Sequence, residues 1–382
     1  RHFPGCRDCL RVEGLGLLTF VMWSGFSWAL GALDNAYTLT HLRSQRPRFF
    51  ADGWGDVNAA EAAQVEAFQR EPAGIPQLQW GEPKGNVCAA TFRSPQAERL
   101  PEEVGDVSFF FVSPEESTIR PWEASPEASS APSAIVVLLP ATGEQGRGGR
   151  VAIAQELAKS GMCSLVPTAP FYGSRKPKNQ EMHYVRSVGM YLEQSTAIVE
   201  EAAVAIRWCV RCFPGVPICV SGFSWGGAMT CLTAILASIW EPSAQILAVP
   251  YAGSATPAVL VDGLLQDDIQ WSSLAKEDEP FEETRDRLLK VLLQTHLSKI
   301  VEPLEGKAQI AGLRAVSFEN DGFVKPEYGE ELFKLTSKCC KTSAQQALVW
   351  QPGGHVYAFL ARKRVQVAAI QHACGELVAA NS

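Results

Sequence analysis

The segment Gly222-Phe223-Ser224-Trp225-Gly226 has the pattern G-x-S-x-G, with a serine between two glycines. The β-rich stretch 217–220 precedes it and residues 226–232 read as a helix, so the pattern predicts a sharp strand-to-helix turn. Both glycines are needed because a Cβ atom at either position would collide across the turn. The turn exposes a serine hydroxyl beside a helix N-terminus, which stabilises negative charge. Ser224 is therefore the candidate nucleophile.

The chain carries an internal comparison for this motif. Residues 25–28 repeat the tetrapeptide GFSW, but Ala29 follows where the motif needs a glycine. The repeat lies inside a long uncharged run, without a strand-then-turn pattern. Ser27 is therefore interpreted as a structural residue and not as a nucleophile.

A serine hydroxyl reacts only when a base takes its proton and a third group orients that base. In sites built on this turn, an acid and then a histidine follow the serine along the chain, each just after a strand. Asp321 lies in a Gly/Pro loop after one strand-like run, and His355 follows Gly353-Gly354 after the next. Asp321 is the candidate acid and His355 the candidate base. Other acids remain open as alternatives to Asp321: Glu319, Asp262, Asp267 and Asp268.

The oxyanion of a tetrahedral intermediate needs two hydrogen-bond donors. The backbone N–H of Trp225 is one candidate, and the loop at 140–143, with Thr142, supplies the other. This loop continues through several glycines, but it fits neither of the common phosphate-loop patterns. Arg175, Lys176 and Lys178 follow the next strand, where they could meet an anionic substrate group or form only a solvated basic loop.

Strand-like and helix-like runs alternate along most of the chain. This pattern predicts an α/β fold with a mostly parallel sheet and helices on both faces. Residues 254–310 interrupt it with charged, helical sequence and are predicted to form an inserted cap. The predicted strands are 87–93, 107–112, 135–139, 164–167, 217–220, 246–249, 315–318 and 347–350, and the predicted helices are 51–70, 150–160, 190–212, 328–338 and one from about 356.

The composition argues against several classes of function. A net charge of -7 over 382 residues does not favour nucleic-acid binding, which needs a concentrated basic face. Eleven cysteines are scattered, and the CxxC pairs at 6–9 and 209–212 lack a second pair at zinc spacing, so no metal is expected. The cysteine usage favours a reducing, intracellular compartment.

Residues 14–33 carry no charge and are just long enough to cross a bilayer. Arg7 and Arg11 precede them, as in a signal anchor or a targeting presequence. Four glycines and two serines dilute the run, so a buried or interfacial segment is the alternative to membrane contact. Residues 1–50 are expected to be an apolar segment and linker, and 51–382 the α/β domain.

Together the motifs resemble those of the alpha/beta hydrolase domain-containing protein 18 family, a branch of the α/β-hydrolase superfamily. The YGSRKP block is the specific part, whereas the turn alone would fit many hydrolases. The similarity extends from about residue 33 to the C-terminal helix. The matching blocks are LPATG at 139–143, PFYGSRKPKNQ at 170–180, GFSWGG at 222–227, NDGFVKP at 320–326 and GGHVYAFL at 353–360, with Gly53-Trp54-Gly55 nearer the N-terminus.

The resemblance implies a catalytic triad of Ser224, Asp321 and His355, an ester substrate of phospholipid type, and a mitochondrial association. The expected activity is hydrolysis of a hydrophobic carboxylic ester without a metal or organic cofactor. Transfer of the acyl group to an alcohol is one alternative, although the His-x-x-x-x-Asp pattern of some acyltransferases of this fold is absent. A non-catalytic scaffold that retains the turn is the other.

Overall fold

The computed structural model describes residues 16–40, 48–114, 119–121, 131–180, 184–304 and 306–381. Among them, nine strands form one sheet. The central strands are buried along their whole length, as expected for a sheet covered on both faces. The strands are β1 (Gln79–Trp80), β2 (Val87–Arg93), β3 (Asp106–Val112), β4 (Ile135–Leu139), β5 (Cys163–Pro167), β6 (Ile218–Phe223), β7 (Ile246–Tyr251), β8 (Gly312–Phe318) and β9 (Gln346–Gln351).

The strand order is β1-β2-β3-β5-β4-β6-β7-β8-β9. The pairs β1–β2, β2–β3 and β3–β5 are antiparallel, whereas β5–β4, β4–β6, β6–β7, β7–β8 and β8–β9 are parallel. The carboxyl ends of the parallel strands therefore meet at one edge of the sheet. Loops at such an edge form the binding crevice of open α/β sheets.

Helices cover both faces of this sheet. Alternate residues of β4 point to opposite faces, and each set joins a separate apolar cluster. One cluster contains α2, α4, α5 and α10, and the other contains α3 and α11. The helices are α1 (Gly16–Thr40), α2 (Val57–Gln69), α3 (Gly148–Ala158), α4 (Val188–Cys212), α5 (Trp225–Trp240), α6 (Val259–Asp262), α7 (Trp271–Leu274), α8 (Phe281–Leu292), α9 (Leu297–Val301), α10 (Pro326–Ser337) and α11 (His355–Asn381).

The predicted fold class and alternation are confirmed. β2 and β4 have the predicted bounds, and α2 begins after Asp56, whose carboxylate accepts a hydrogen bond from the Ala59 N–H at 3.0 Å. The sequence does not predict β1, which has two residues and therefore no readable pattern. The CxxC pair at 6–9 and residues 14–15 of the uncharged run lie outside the described residues.

The insertion between β7 and β8 contains four short helices, α6 to α9. Leu260, Leu265 and Leu297 of this insertion line a cavity beside Ser224. The segment therefore lies where a cap would lie, and its role in substrate selection stays a prediction.

Helix α1 occupies most of the uncharged N-terminal run and packs against α11. None of the helices in the described part of the chain combines the length and the apolar character needed to span a bilayer. Further along, Phe49 and Phe50 are fully buried in the core, so the domain begins before residue 51. The segment expected to act as a linker thus contains a helix that belongs to the domain surface.

Candidate active site

The turn between β6 and α5 presents Ser224 in a strained conformation. Its φ is 59° and its ψ is -119°, a region that non-glycine residues rarely occupy. A Cβ atom on Gly222 would lie 2.5 Å from the carbonyl oxygen of Gly226, and one on Gly226 would lie 2.5 Å from that of Pro140. Glycine is therefore required at both positions, as the sequence predicts.

Two loops at the same edge of the sheet bring the candidate base and acid to Ser224. The His355 Nε2 lies 2.8 Å from the Ser224 Oγ, and its Nδ1 lies 2.7 Å from the Asp321 Oδ2. The second oxygen of Asp321 accepts hydrogen bonds from the N–H groups of Phe323 and Val324, at 2.9 and 2.7 Å. The carboxylate is thus held by its own loop while it contacts the imidazole.

The imidazole of His355 is buried between two aromatic rings. The Phe223 ring lies 4.6 Å from it and the Phe323 ring 5.2 Å, between centroids. Burial alone lowers the pKa of His355, but the charge of Asp321 and its hydrogen bond raise it, so the net pKa lies above the ordinary histidine value. Such an imidazole readily accepts a proton from a serine.

The alternative acids have other partners. Asp262 pairs with Lys325 at 2.8 Å and accepts a hydrogen bond from the Tyr328 hydroxyl. The Glu319 carboxylate accepts a hydrogen bond from the Ser27 hydroxyl at 3.1 Å, and Asp268 faces Tyr184. Among the acids that the sequence leaves open, Asp321 is the one whose carboxylate contacts the imidazole.

The loop after β4 lies where a second oxyanion donor is needed. Thr142 lines the cavities on both sides of Ser224, and the N–H of Trp225 begins α5 directly behind it. Arg150 is buried and holds this loop by donating to Glu144 at 2.7 Å and to the carbonyl of Leu138 at 2.7 Å. The Glu144 carboxylate in turn accepts from the N–H of Ala141 at 3.3 Å. The backbone around Thr142 is thus fixed by a buried ion pair.

Ser224 lies at the junction of two cavities. The inner one has a volume of about 50 Å³ and is lined mainly by apolar side chains, among them Met229 and Leu297. The outer one has a volume of about 260 Å³, and Tyr37, His355 and Phe359 are among its lining residues. A substrate carbonyl at Ser224 would therefore have room on two sides.

The basic segment at 175–178 does not reach these cavities. Arg175 is buried and uses all its donors on Glu201 and on the carbonyls of Val104 and Thr168. The expectation that Arg175 binds an anionic substrate group is therefore wrong, because no N–H remains for a ligand. Lys176 and Lys178 are not among the residues that line the two cavities.

Sequence reasoning does not find the role of Asp34. This residue lies on α1, is fully buried, and accepts hydrogen bonds from the backbone N–H groups of Gly322, His355 and Val356. The available signal was weak: Asp34 is the first charged residue after the uncharged run. Ser27 lies on the same helix, and its hydroxyl contacts loop residues and not the imidazole.

A family profile provides an independent comparison. The profile described as "Alpha/beta hydrolase domain containing 18" matches residues 47–301, which is more than half of the chain. The chain belongs to this family. The matched segment contains Ser224, whereas Asp321 and His355 lie beyond it, so their assignment depends on the geometry given above.

Solved structures agree with the family in fold. Acetyl xylan esterase 1 from Thermoanaerobacterium sp. JW/SL YS485 is similar at 11% identity and a TM-score of 0.55, over 89% of this chain and 98% of that one. The acetyl xylan esterase from Paenibacillus sp. R4 is similar at 14% identity and a TM-score of 0.50, over 87% and 99%. At such identities the likeness establishes the α/β-hydrolase fold and not the substrate.

Proposed function

We propose that this protein is a serine esterase that hydrolyses carboxylic esters of hydrophobic, phospholipid-like molecules. The observation that carries the proposal is the hydrogen-bonded series Ser224–His355–Asp321, with contacts of 2.8 and 2.7 Å at the junction of two cavities. Membership of a hydrolase family supports the same reaction class.

The reaction follows from these contacts. The Ser224 oxygen attacks the ester carbonyl carbon while His355 takes the hydroxyl proton, and Asp321 stabilises the imidazolium that forms. The oxyanion accepts hydrogen bonds from the N–H of Trp225 and from the loop that carries Thr142. His355 then protonates the leaving alcohol, which leaves an acyl group on Ser224. Water, activated by His355, attacks this acyl-enzyme and releases the acid.

A fluorophosphonate probe tests the activated serine directly. We expect the purified wild-type protein to be labelled and Ser224→Ala to lose the label. Ser160→Ala is the matched control because Ser160 follows α3 at the opposite edge of the sheet. Folded wild-type protein that takes up no label would contradict the proposal and favour a non-catalytic scaffold. Product analysis with an added alcohol would separate hydrolysis from acyl transfer.

The class of substrate is proposed from the cavities. Both have largely apolar linings, and Phe359 at the outer one is partly exposed to solvent. If the acyl chain occupies apolar surface, each added methylene contributes about 0.8 kcal/mol, or roughly fourfold in kcat/KM. We expect this rise across p-nitrophenyl esters from acetate to octanoate. A maximum at acetate would instead assign the protein to short acyl groups.

We further propose an intracellular site of action at a membrane surface, with a mitochondrial location implied by the family resemblance. Trp28 and Leu360 lie on two helices that pack together, and 70% and 67% of their surfaces are exposed. Large exposed apolar side chains of this kind are suited to an interface with lipid. Cosedimentation with phospholipid vesicles tests this part, and protein that stays in the supernatant would refute it.

A further inference from the structure

Between residues 27 and 40, helix α1 buries three polar side chains and leaves several apolar ones exposed. Ser27, Asp34 and Thr38 are at most 3% exposed, whereas Trp28 and Leu39 are 70% and 60% exposed. Ser27, Gly31, Asp34 and Thr38 follow each other at intervals of three and four residues, so they share one face of the helix. Burial of polar groups is unfavourable unless specific partners are present. The partners on this face therefore explain why α1 lies where it does.

The partners of this face are the two loops that carry the candidate acid and base. The Asp34 Oδ2 accepts from the N–H of Gly322 at 2.9 Å and from that of His355 at 2.8 Å, and its Oδ1 accepts from Val356 at 2.8 Å. Gly322 follows Asp321 directly, and His355 and Val356 open α11. One carboxylate thus joins both loops and caps a helix N-terminus, where negative charge is favoured.

Ser27 makes a second connection seven residues earlier. Its hydroxyl donates to the Glu319 carboxylate and accepts from the Asn320 side chain at 2.5 Å and from the Gly353 N–H at 3.0 Å. Glu319 and Asn320 precede the acid, and Gly353 precedes the base. Ser27 and Asp34 therefore each bridge the same pair of loops.

Glycines make this close approach feasible. A Cβ atom on Gly354 would lie 2.5 Å from the Asp34 Oδ2, and one on Gly31 would lie 2.7 Å from the Asn320 Cβ. Glycine is therefore needed at position 354 for two reasons: it gives the loop conformational freedom, and it leaves space for the Asp34 carboxylate. Tyr37, one turn further along α1, lines the outer cavity itself.

We propose that Asp34, assisted by Ser27, is a positioning residue that holds the Asp321 and His355 loops in register for catalysis. This inference rests on the proposed esterase function. Asp34 acts through backbone N–H groups and touches no reacting atom. We call these contacts of Asp34 and Ser27 with the two loops the clamp. Both residues lie before the segment that matches the family, on a helix that the sequence predicts to be a membrane or linker segment.

The clamp also has an electrostatic consequence. Burial has the largest effect on the pKa of His355 and lowers it, whereas Asp321 raises it. The negative charge of Asp34 has a smaller effect and also raises this pKa. Burial raises the pKa of Asp34 itself, against the three backbone donors. The other ionisable groups on the elements that pack against α1 are Asp321 and Glu319 on the acid loop, Asp267 and Asp268 on the turn Leu264–Asp268, and Arg362, Lys363, Arg364, His372 and Glu376 on α11. Removal of the Asp34 charge should therefore lower the pKa of His355.

The test compares Asp34→Ala, Asp34→Asn and Ser27→Ala with wild type, and Asn35→Ala serves as the matched control. Asn35 is the exposed neighbour of Asp34 on the same helix. The rate of fluorophosphonate labelling is measured across pH, beside thermal unfolding and circular dichroism. We expect Asp34→Ala to react about 100-fold more slowly, because misplacement by about 1 Å costs that much. In Asp34→Asn the acid limb of the pH profile should move to lower pH, because a negative charge that helps to raise the pKa of His355 is lost.

The outcomes are separable. Folded Asp34→Ala and Asp34→Asn proteins with the wild-type rate and pH profile would overturn the inference. If Asp34→Ala does not fold, Asp34→Asn decides alone, and failure of both to fold would assign Asp34 to stability and overturn the positioning role. Absence of labelling in the wild type would instead sink the proposed function. In that case proton NMR of the His355 Nδ1–H still tests the clamp, because a released loop weakens its hydrogen bond to Asp321.

Discussion

Replacement of Asp321 by asparagine tests the candidate triad with little change of shape. The Oδ1 of an asparagine can still accept the hydrogen bonds that Phe323 and Val324 donate, so the loop should keep its conformation. The amide nitrogen, however, would replace the Asp321 Oδ2, which lies 2.7 Å from the His355 Nδ1 in the wild-type protein. An amide donates there, which forces the imidazole proton onto Nε2. That nitrogen then cannot accept the proton of Ser224.

The magnitude follows from the contact. An imidazolium and a carboxylate with charge centres about 4 Å apart attract by about 4 kcal/mol at an effective dielectric constant of 20. Loss of that attraction in the transition state costs about 10³-fold in rate. The unfavourable tautomer adds to this, so we expect kcat/KM to fall by about 10⁴-fold, as removal of the triad carboxylate does elsewhere.

The assay is hydrolysis of a p-nitrophenyl ester that the wild type accepts, with circular dichroism to verify folding. Asp262→Asn is the matched control, since Asp262 pairs with Lys325 and does not contact the imidazole. A folded Asp321→Asn protein that keeps more than about a tenth of the wild-type rate would refute the assignment. A large loss in Asp262→Asn would point to that alternative acid instead.

Two further predictions concern pH and stability. Because neutral His355 is the base and its pKa is raised, kcat/KM should fall as pH drops through a value above that of ordinary histidine; a pH–rate profile with its midpoint clearly below 6.5 would contradict this. Arg175→Ala should lower the free energy of unfolding by about 3 to 5 kcal/mol, because Glu201 would remain buried without its partner. Arg186→Ala, which breaks the more exposed pair with Asp52, should cost less than about 1 kcal/mol, and equal losses by urea denaturation would refute the distinction.

Much of the fold could be predicted because its signals are local. The alternation of buried strands and amphipathic helices reads directly from the chain, and β4 and β2 have the predicted bounds. The predicted bounds of a strand were wrong where hydrogen bonding to a neighbouring strand outweighs the local conformational preference of the residues. Residues 221–223 read as the start of a turn, yet they extend β6 because they pair with β7 as far as Tyr251.

The candidate site divides in the same way. Gly222 and Gly226 are determined by sterics within one turn, and the order of serine, acid and histidine follows from the order of the strands. These constraints act over short distances in the chain or through a regular sheet, so Ser224, Asp321 and His355 can be identified as candidates from the sequence.

The long-range partners that complete the site become visible only in the folded structure. Asp34 and His355 are 321 residues apart in the chain, and no local pattern links them. Arg175 reads as an exposed cation beside two lysines, but Glu201 and two backbone carbonyls enclose it. Whether a charged side chain is buried depends on which groups the whole fold brings around it. Local sequence patterns do not identify these groups.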